Sequence, residues 1–125
     1  DRFEKKLRVI DYKTGRVDYK ELNFKYFDNY EEIKNKPKAF QLLFYLFLAS
    51  NCDEMKNEKI ISANISLKEI DDGFKFLNNG QEIFETNNNF QKDFLTLIET
   101  IIREIRTKHY SSCQSDSCIY CKNLF

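Results

Sequence analysis

The stretch Leu7-Arg8-Val9-Ile10-Asp11-Tyr12-Lys13-Thr14-Gly15 joins a strand-like run to an acid and a lysine two residues apart, and then to a glycine. Val9 and Ile10 supply the branched bulk that favours a strand. Side chains alternate along a strand, so Asp11 and Lys13 share one face. A carboxylate beside an ammonium at a strand end suits hydrolysis of a phosphodiester: the acid holds a divalent metal, and the lysine stabilises charge or orients the attacking water. The triplet alone is also what an exposed, salt-bridging strand presents, so its surroundings decide its meaning.

Working outward, Asp1-Arg2 precedes Asp11 at a distance that fits two neighbouring strands joined by a turn at Glu4-Lys5-Lys6, which would bring both acids to one sheet edge. Downstream comes Gln41-Leu42-Leu43-Phe44-Tyr45 within a strongly apolar segment. Asp-Arg at one strand end, Val-Ile-Asp-Tyr-Lys-Thr-Gly on the next strand and Gln-x-x-x-Tyr on the following helix, in that order, resemble the PD-(D/E)xK nuclease superfamily, specifically its RecB/AddB-type branch. The resemblance runs from Asp1 to about Phe76 and again over the C-terminal cysteines.

It implies an α/β fold: a mixed β-sheet flanked by helices, with a restriction-endonuclease-like core lacking its first helix and strand, which would lie before Asp1. On this reading residues 1–110 form a partial nuclease domain and residues 111–125 a cysteine-containing tail. The implied activity is metal-dependent DNA hydrolysis, of exonuclease type, in repair or recombination. Asp1 and Asp11 would ligate Mg²⁺ or Mn²⁺ with the Tyr12 carbonyl as a further oxygen, a donor set that selects hard cations. Lys13 would act on the nucleophile or the transition state, and Gln41 and Tyr45 would position the DNA strand. The family also draws an acid or a histidine from upstream of Asp1, so the chain by itself could fold and yet be inactive. A helicase subunit or domain is the implied partner. The rival reading is a non-catalytic nuclease-like scaffold that binds DNA or protein.

Composition bounds these readings. The chain has 125 residues, enough for one domain with a real core. Lys plus Arg number 20 and so do Asp plus Glu, which gives no global pull toward nucleic acid. Residues 1–38 nevertheless carry eleven basic and eight acidic side chains, a local excess of the kind an active-site channel needs. No apolar run approaches the length of a membrane helix, and no signal-peptide pattern stands at the N-terminus, so a cytoplasmic protein without membrane contact is expected. No P-loop, GxGxxG or HExxH motif is present.

Along the chain, Arg16 to Phe27 reads as an irregular connection. Asp28 is a candidate cap for a brief helix over Tyr30–Ile33. Pro37 fits the first turn of a helix running from about Lys38 to Asn51, apolar almost all round and therefore buried, with Lys38, Gln41 and Tyr45 as its one polar stripe. From Ile60 the period switches to two, with Ile61, Ala63, Ile65 and Leu67 on the expected buried face and Ser62, Asn64 and Ser66 opposite. Gly73–Leu77 and Glu82–Glu85 are expected to pair as a hairpin around Asn78-Asn79-Gly80. Phe90 to about Lys108 is an amphipathic helix whose stripe is Phe94, Leu97, Ile98, Ile101 and Ile105.

Cys113, Cys118 and Cys121 cluster near the C-terminus, while Cys52 stands apart. Cys118-Ile119-Tyr120-Cys121 has metal-type CxxC spacing. Three readings stay open. AddB-type nucleases end in Cys-x-x-Cys-x5-Cys and bind a [4Fe-4S] cluster with a ligand from upstream; Cys118 and Cys121 match its first pair, and the next cysteine would fall beyond Phe125. Zinc held by His109, Cys113, Cys118 and Cys121 is the second reading. Reduced cytosolic thiols on a tail are the third.

Overall fold

The computed structural model describes residues 2–3, 5–80 and 82–108. Asp1 and the segment that holds His109, Cys113, Cys118 and Cys121 lie outside these residues, and so do the readings placed on them. Four strands form a mixed sheet in the order β1 (Arg2–Phe3), β2 (Lys6–Lys13), β3 (Ile60–Ser66), β4 (Phe74–Phe76). β1 and β4 run antiparallel to their neighbours, and β2 and β3 run parallel.

A parallel pair cannot be closed by a tight turn. Between β2 and β3 the chain passes through a 3₁₀ turn at Tyr19–Leu22, the short helix α1 (Tyr30–Ile33) and the long helix α2 (Pro37–Ser50). The stretch expected to be irregular is therefore partly ordered: Asp18 accepts the Lys20 amide at 3.0 Å while Glu21 accepts the Asp18 amide at 2.9 Å, a reciprocal cap legible as Asp-x-x-Glu. Val17, Leu22 and Phe24 drop from it into the core. Helix α1 is capped by Asn29, whose side chain accepts the Glu31 amide at 3.1 Å, rather than by Asp28, because the cap is the residue immediately before the first helical one.

Helix α2 begins at Pro37, which needs no amide partner there. It buries Ala39, Leu42, Leu43, Leu46 and Ala49 against the face of the sheet that carries Leu7, Val9 and Ile60. Helix α3 (Phe90–Thr107) then packs on α2: Phe94 is fully buried, with ring centroids of Phe47, Phe90, Phe40 and Phe44 at 5.2, 5.7, 6.0 and 6.3 Å. The apolar stripe of α3 meets the core as far as Ile101, and Ile105 is exposed because the packed cluster ends before it.

Two further expectations are corrected. Strand β3 is buried on both faces, Ser62, Asn64 and Ser66 included, whereas Leu67 is exposed. Helix α2 covers the face that carries Ser62, Asn64 and Ser66, the face the alternation assigned to solvent, and Ile60–Ser66 carries no charged residue that would require water on either side. The second correction is the hairpin. β5 (Asn78–Asn79) pairs with β6 (Glu82–Ile83) next to Gly80, whose φ of 80° is accessible to glycine, while Phe74–Phe76 pairs with β3.

Truncating the side chain at the centre of the phenylalanine cluster should be costly, because the surrounding rings cannot collapse into the space. Phe94→Ala should lower unfolding free energy by about 3–5 kcal/mol, read as a lower urea midpoint with an unchanged slope.

Candidate active site

Parallel pairing fixes the environment of Asp11 and Lys13. The Leu7 amide donates to the Lys59 carbonyl at 3.1 Å and the Leu67 amide to the Lys13 carbonyl at 2.8 Å, so odd-numbered residues of β2 direct their backbone groups toward β3. Arg8, Ile10 and Tyr12 therefore direct theirs to the opposite edge. Among the described residues β1 covers that edge only at Lys6 and Leu7. The Tyr12 carbonyl thus points to the β1 side of β2, away from β3, while its side chain lies exposed on the outer face.

On the inner face the side chains form a connected series. The Lys13 ammonium sits 2.7 Å from Asp11 Oδ2, and both side chains are largely shielded from solvent. It also donates to Gln41 Oε1 at 2.5 Å. Gln41 Nε2 in turn donates to Tyr45 Oη at 2.8 Å, one helical turn on. The polar stripe of α2 is laid directly over the acid and lysine of β2. Lys38, the third member of that stripe, turns away to Glu21, with contacts of 2.9 and 2.8 Å, and to the Arg16 carbonyl at 3.3 Å. This bond, with the Asp18 amide, holds the Glu21 carboxyl below its ordinary range.

Three side chains at this site went unrecognised in the sequence. Asn64 lies opposite Asp11 on β3, and its Nδ2 approaches Asp11 Oδ2 at 3.4 Å. Lys75 lies opposite Asn64 on β4. Its buried ammonium donates to the Val17 carbonyl at 2.7 Å and to Glu69 at 3.0 Å, with Asp72 at 3.5 Å. Ser66 donates to the Gly15 carbonyl at 2.8 Å. Together Ser66 and Lys75 tie down the loop that leaves Lys13. The charge-free composition of Ile60–Ser66 was the available signal for a strand buried on both faces.

A cleft of about 430 Å³ walled by Pro37, Lys38, Phe40, Gln41, Phe44 and Tyr45 adjoins this series. A larger one of about 760 Å³, lined in part by Ser50, Lys59, Glu85, Asn87 and Gln91, lies at the other end of β3, remote from Asp11.

The family model for the PD-(D/E)XK nuclease superfamily matches residues 1–123, nearly the whole chain. The chain belongs to that superfamily. No curated protein and no solved structure matches it. Membership indicates a nuclease with DNA as its substrate, and such nucleases typically use divalent metals such as Mg²⁺. The mixed sheet with its helices agrees with the restriction-endonuclease-like fold of this superfamily.

Whether the residues present suit such a metal is a question of donors. Among the described residues no hydrogen bond or ion pair of Asp11 uses Oδ1, and the Tyr12 carbonyl points to the side of β2 away from β3. Both are hard oxygen donors of the kind Mg²⁺ and Mn²⁺ take. Among the described residues no group of three His, Cys, Asp or Glu side chains converges, so this donor pair is partial. Cys52 is exposed and unpaired. No described helix is long and apolar enough to cross a membrane.

The Lys75 anchor predicts a pH signature. The adjacent Glu69 carboxylate raises the Lys75 ammonium above its ordinary value of 10.5. A folded pKa above the unfolded one stabilises fully below the unfolded value, and this is lost as pH rises through the folded one. Lys75→Met should therefore be less stable than wild type below pH 10.5, with the difference shrinking above it. Urea midpoints on either side of that pH measure this, and faster amide exchange at Gly15–Val17 in the variant would locate it.

Proposed function

We propose that the protein is a metal-dependent deoxyribonuclease of the RecB/AddB type, an exonuclease acting on DNA ends in repair or recombination, in the cytoplasm and in company with a helicase subunit or domain. The observation that carries the catalytic part is the series Asp11, Lys13, Gln41, Tyr45, in which adjoining side chains lie within 2.5–2.8 Å of one another.

A divalent metal, when bound, polarises a phosphoryl oxygen and makes water a nucleophile at neutral pH. Asp11 and the Tyr12 carbonyl are the groups that would hold it, with Asp1 as a second acid. Lys13 supplies a fixed cation for charge that develops on the phosphate. Gln41 accepts from Lys13 and so keeps the ammonium from swinging out to solvent, while Tyr45 fixes the Gln41 amide in the orientation that leaves Oε1 toward Lys13. Beyond them Phe40 and Phe44 offer ring faces beside the cleft, and bases of a single strand stack on such faces irrespective of sequence. Cys118 and Cys121 are proposed as ligands of a [4Fe-4S] cluster. Zinc on His109, Cys113, Cys118 and Cys121 is the competing assignment, and iron and zinc analysis of the purified whole protein separates the two.

The test compares wild type, Asp11→Ala and Lys13→Ala in the whole protein. Asp11→Ala should abolish Mn²⁺ binding. Lys13→Ala should bind metal as wild type does, bind DNA nearly as well in Ca²⁺, and cleave about 10²- to 10³-fold more slowly, the usual effect of removing one preorganised group that acts on transition-state charge. One lysine among several phosphate contacts adds little to ground-state affinity. Cleavage at full rate without Lys13 would sink the catalytic assignment. A wild type that binds DNA and never cleaves it would make the protein a scaffold.

A further inference from the structure

We infer that Asn64 is a positioning residue for Asp11: its side-chain amide holds the carboxylate by Oδ2 and so leaves Oδ1 directed at the metal. This rests on the reading of Asp11 as a metal ligand and adds to it a residue outside the Asp-x-Lys and Gln-x-x-x-Tyr motifs.

Three observations carry it. The register places Asn64 directly opposite Asp11 on the parallel strand, so both side chains leave the same face side by side. Asn64 is 1% exposed and its Nδ2 lies 3.4 Å from Asp11 Oδ2, the oxygen that also meets Lys13. This hydrogen bond is long, as bonds within catalytic sites often are before the substrate draws them together. Two donors therefore converge on one carboxylate oxygen, and among the described residues none of the Asp11 contacts takes the other. The third observation is the far end of the same amide: Asn64 Oδ1 is buried with no hydrogen-bond partner. Leaving such an oxygen unpaired costs stability. A side chain chosen only for the fold would be apolar at so buried a position, on the same face of the sheet as Leu7, Val9 and Ile60. An amide retained at that cost, with its donor end against Asp11, is accounted for by what it does to Asp11.

A structural role and a positioning role diverge in what Asn64→Leu does. The two side chains are close in size, and leucine removes both the donor and the unpaired oxygen. The metal-free variant should be at least as stable as wild type, while Mn²⁺ affinity, measured by calorimetry or by the manganese spin signal in the whole protein, should fall about 10-fold or more, as for other groups that orient a ligand. Saturating Mn²⁺ should restore most of the cleavage rate, since Lys13 keeps its Gln41 partner. Asn64→Ser, which fits the space in either case but falls short of Asp11, should weaken Mn²⁺ similarly and decides the matter if the leucine variant does not fold. An Mn²⁺ titration of Asn64→Ser that superimposes on wild type overturns the inference, and so does a leucine variant whose stability falls in step with its metal affinity. Asp11→Asn is measured alongside. If it binds Mn²⁺ as wild type does, the assignment of Asp11 fails and this inference with it. If it does not bind while Asn64→Leu and Asn64→Ser bind normally, only the role of Asn64 fails.

Discussion

The parallel ladder between Lys6–Lys13 and Ile60–Ser66 is the constraint on which the rest depends. A parallel pair obliges the chain to travel back along the sheet before the second strand begins, and a helix is the usual means. Here that helix is α2, and its apolar side must be buried, so it lies on the face carrying Leu7, Val9 and Ile60. The consequence at the site is geometric. Because Asp11 and Lys13 continue that same face, the returning helix meets them with whatever residues occupy its polar stripe, and these are Gln41 and Tyr45. The same ladder aligns Asn64 with Asp11, and the antiparallel partner β4 aligns Lys75 with Asn64. Residues distant in sequence become one row without any loop having to place them.

The row places charge in a sparsely solvated region, where an ammonium left alone would be expensive. Each cation is answered. Lys13 has Asp11 and Gln41, and Lys75 has Glu69, Asp72 and the Val17 carbonyl. The two cations differ in what surrounds them. Lys75 is enclosed by acids and a backbone oxygen and serves to hold the loop, whereas among the described residues the partners of Lys13 are one carboxylate oxygen and one neutral amide. A cation with a single anionic neighbour can respond to new negative charge on a phosphate. One locked between two carboxylates cannot.

The legible part of the fold was what periodicity and local chemistry encode. The Leu7–Lys13 strand, the Pro37 start of α2, the buried character of that helix and the α3 stripe through Ile101 were readable because each depends on its own residues. The meeting of Asp11, Lys13, Gln41 and Tyr45 was accessible through motif order and resemblance, since spacing alone does not place a helix over a strand. Asn64, Ser66 and Lys75 were missed for one reason: alternation shows that a strand has two faces, and not which neighbours cover them. Ser62, Asn64 and Ser66 were assigned away from the core when they lie beneath α2. The 3₁₀ turn at Tyr19–Leu22 was missed because a reciprocal Asp18/Glu21 cap was overlooked within a segment rich in charges.

The inner face of the sheet changes character along its length, and this explains why the site is where it is. At the starts of β2 and β3 it presents Leu7, Val9 and Ile60, and toward their ends Asp11, Lys13, Asn64 and Ser66. In an antiparallel pair such gradients would run against each other and place polar side chains at both ends. In a parallel pair the carboxyl ends coincide, so one end of the ladder can be all core and the other all chemistry, consistent with the general placement of ligands at carboxyl ends of parallel strands. The apolar end is sealed by α2 and by the phenylalanines of α3, and next to it Ser62 Oγ and Asn64 Oδ1 are buried without a partner among the described residues. Polar atoms left unpaired beside and opposite Asp11 weaken the fold locally, a cost that the positioning role inferred for Asn64 accounts for.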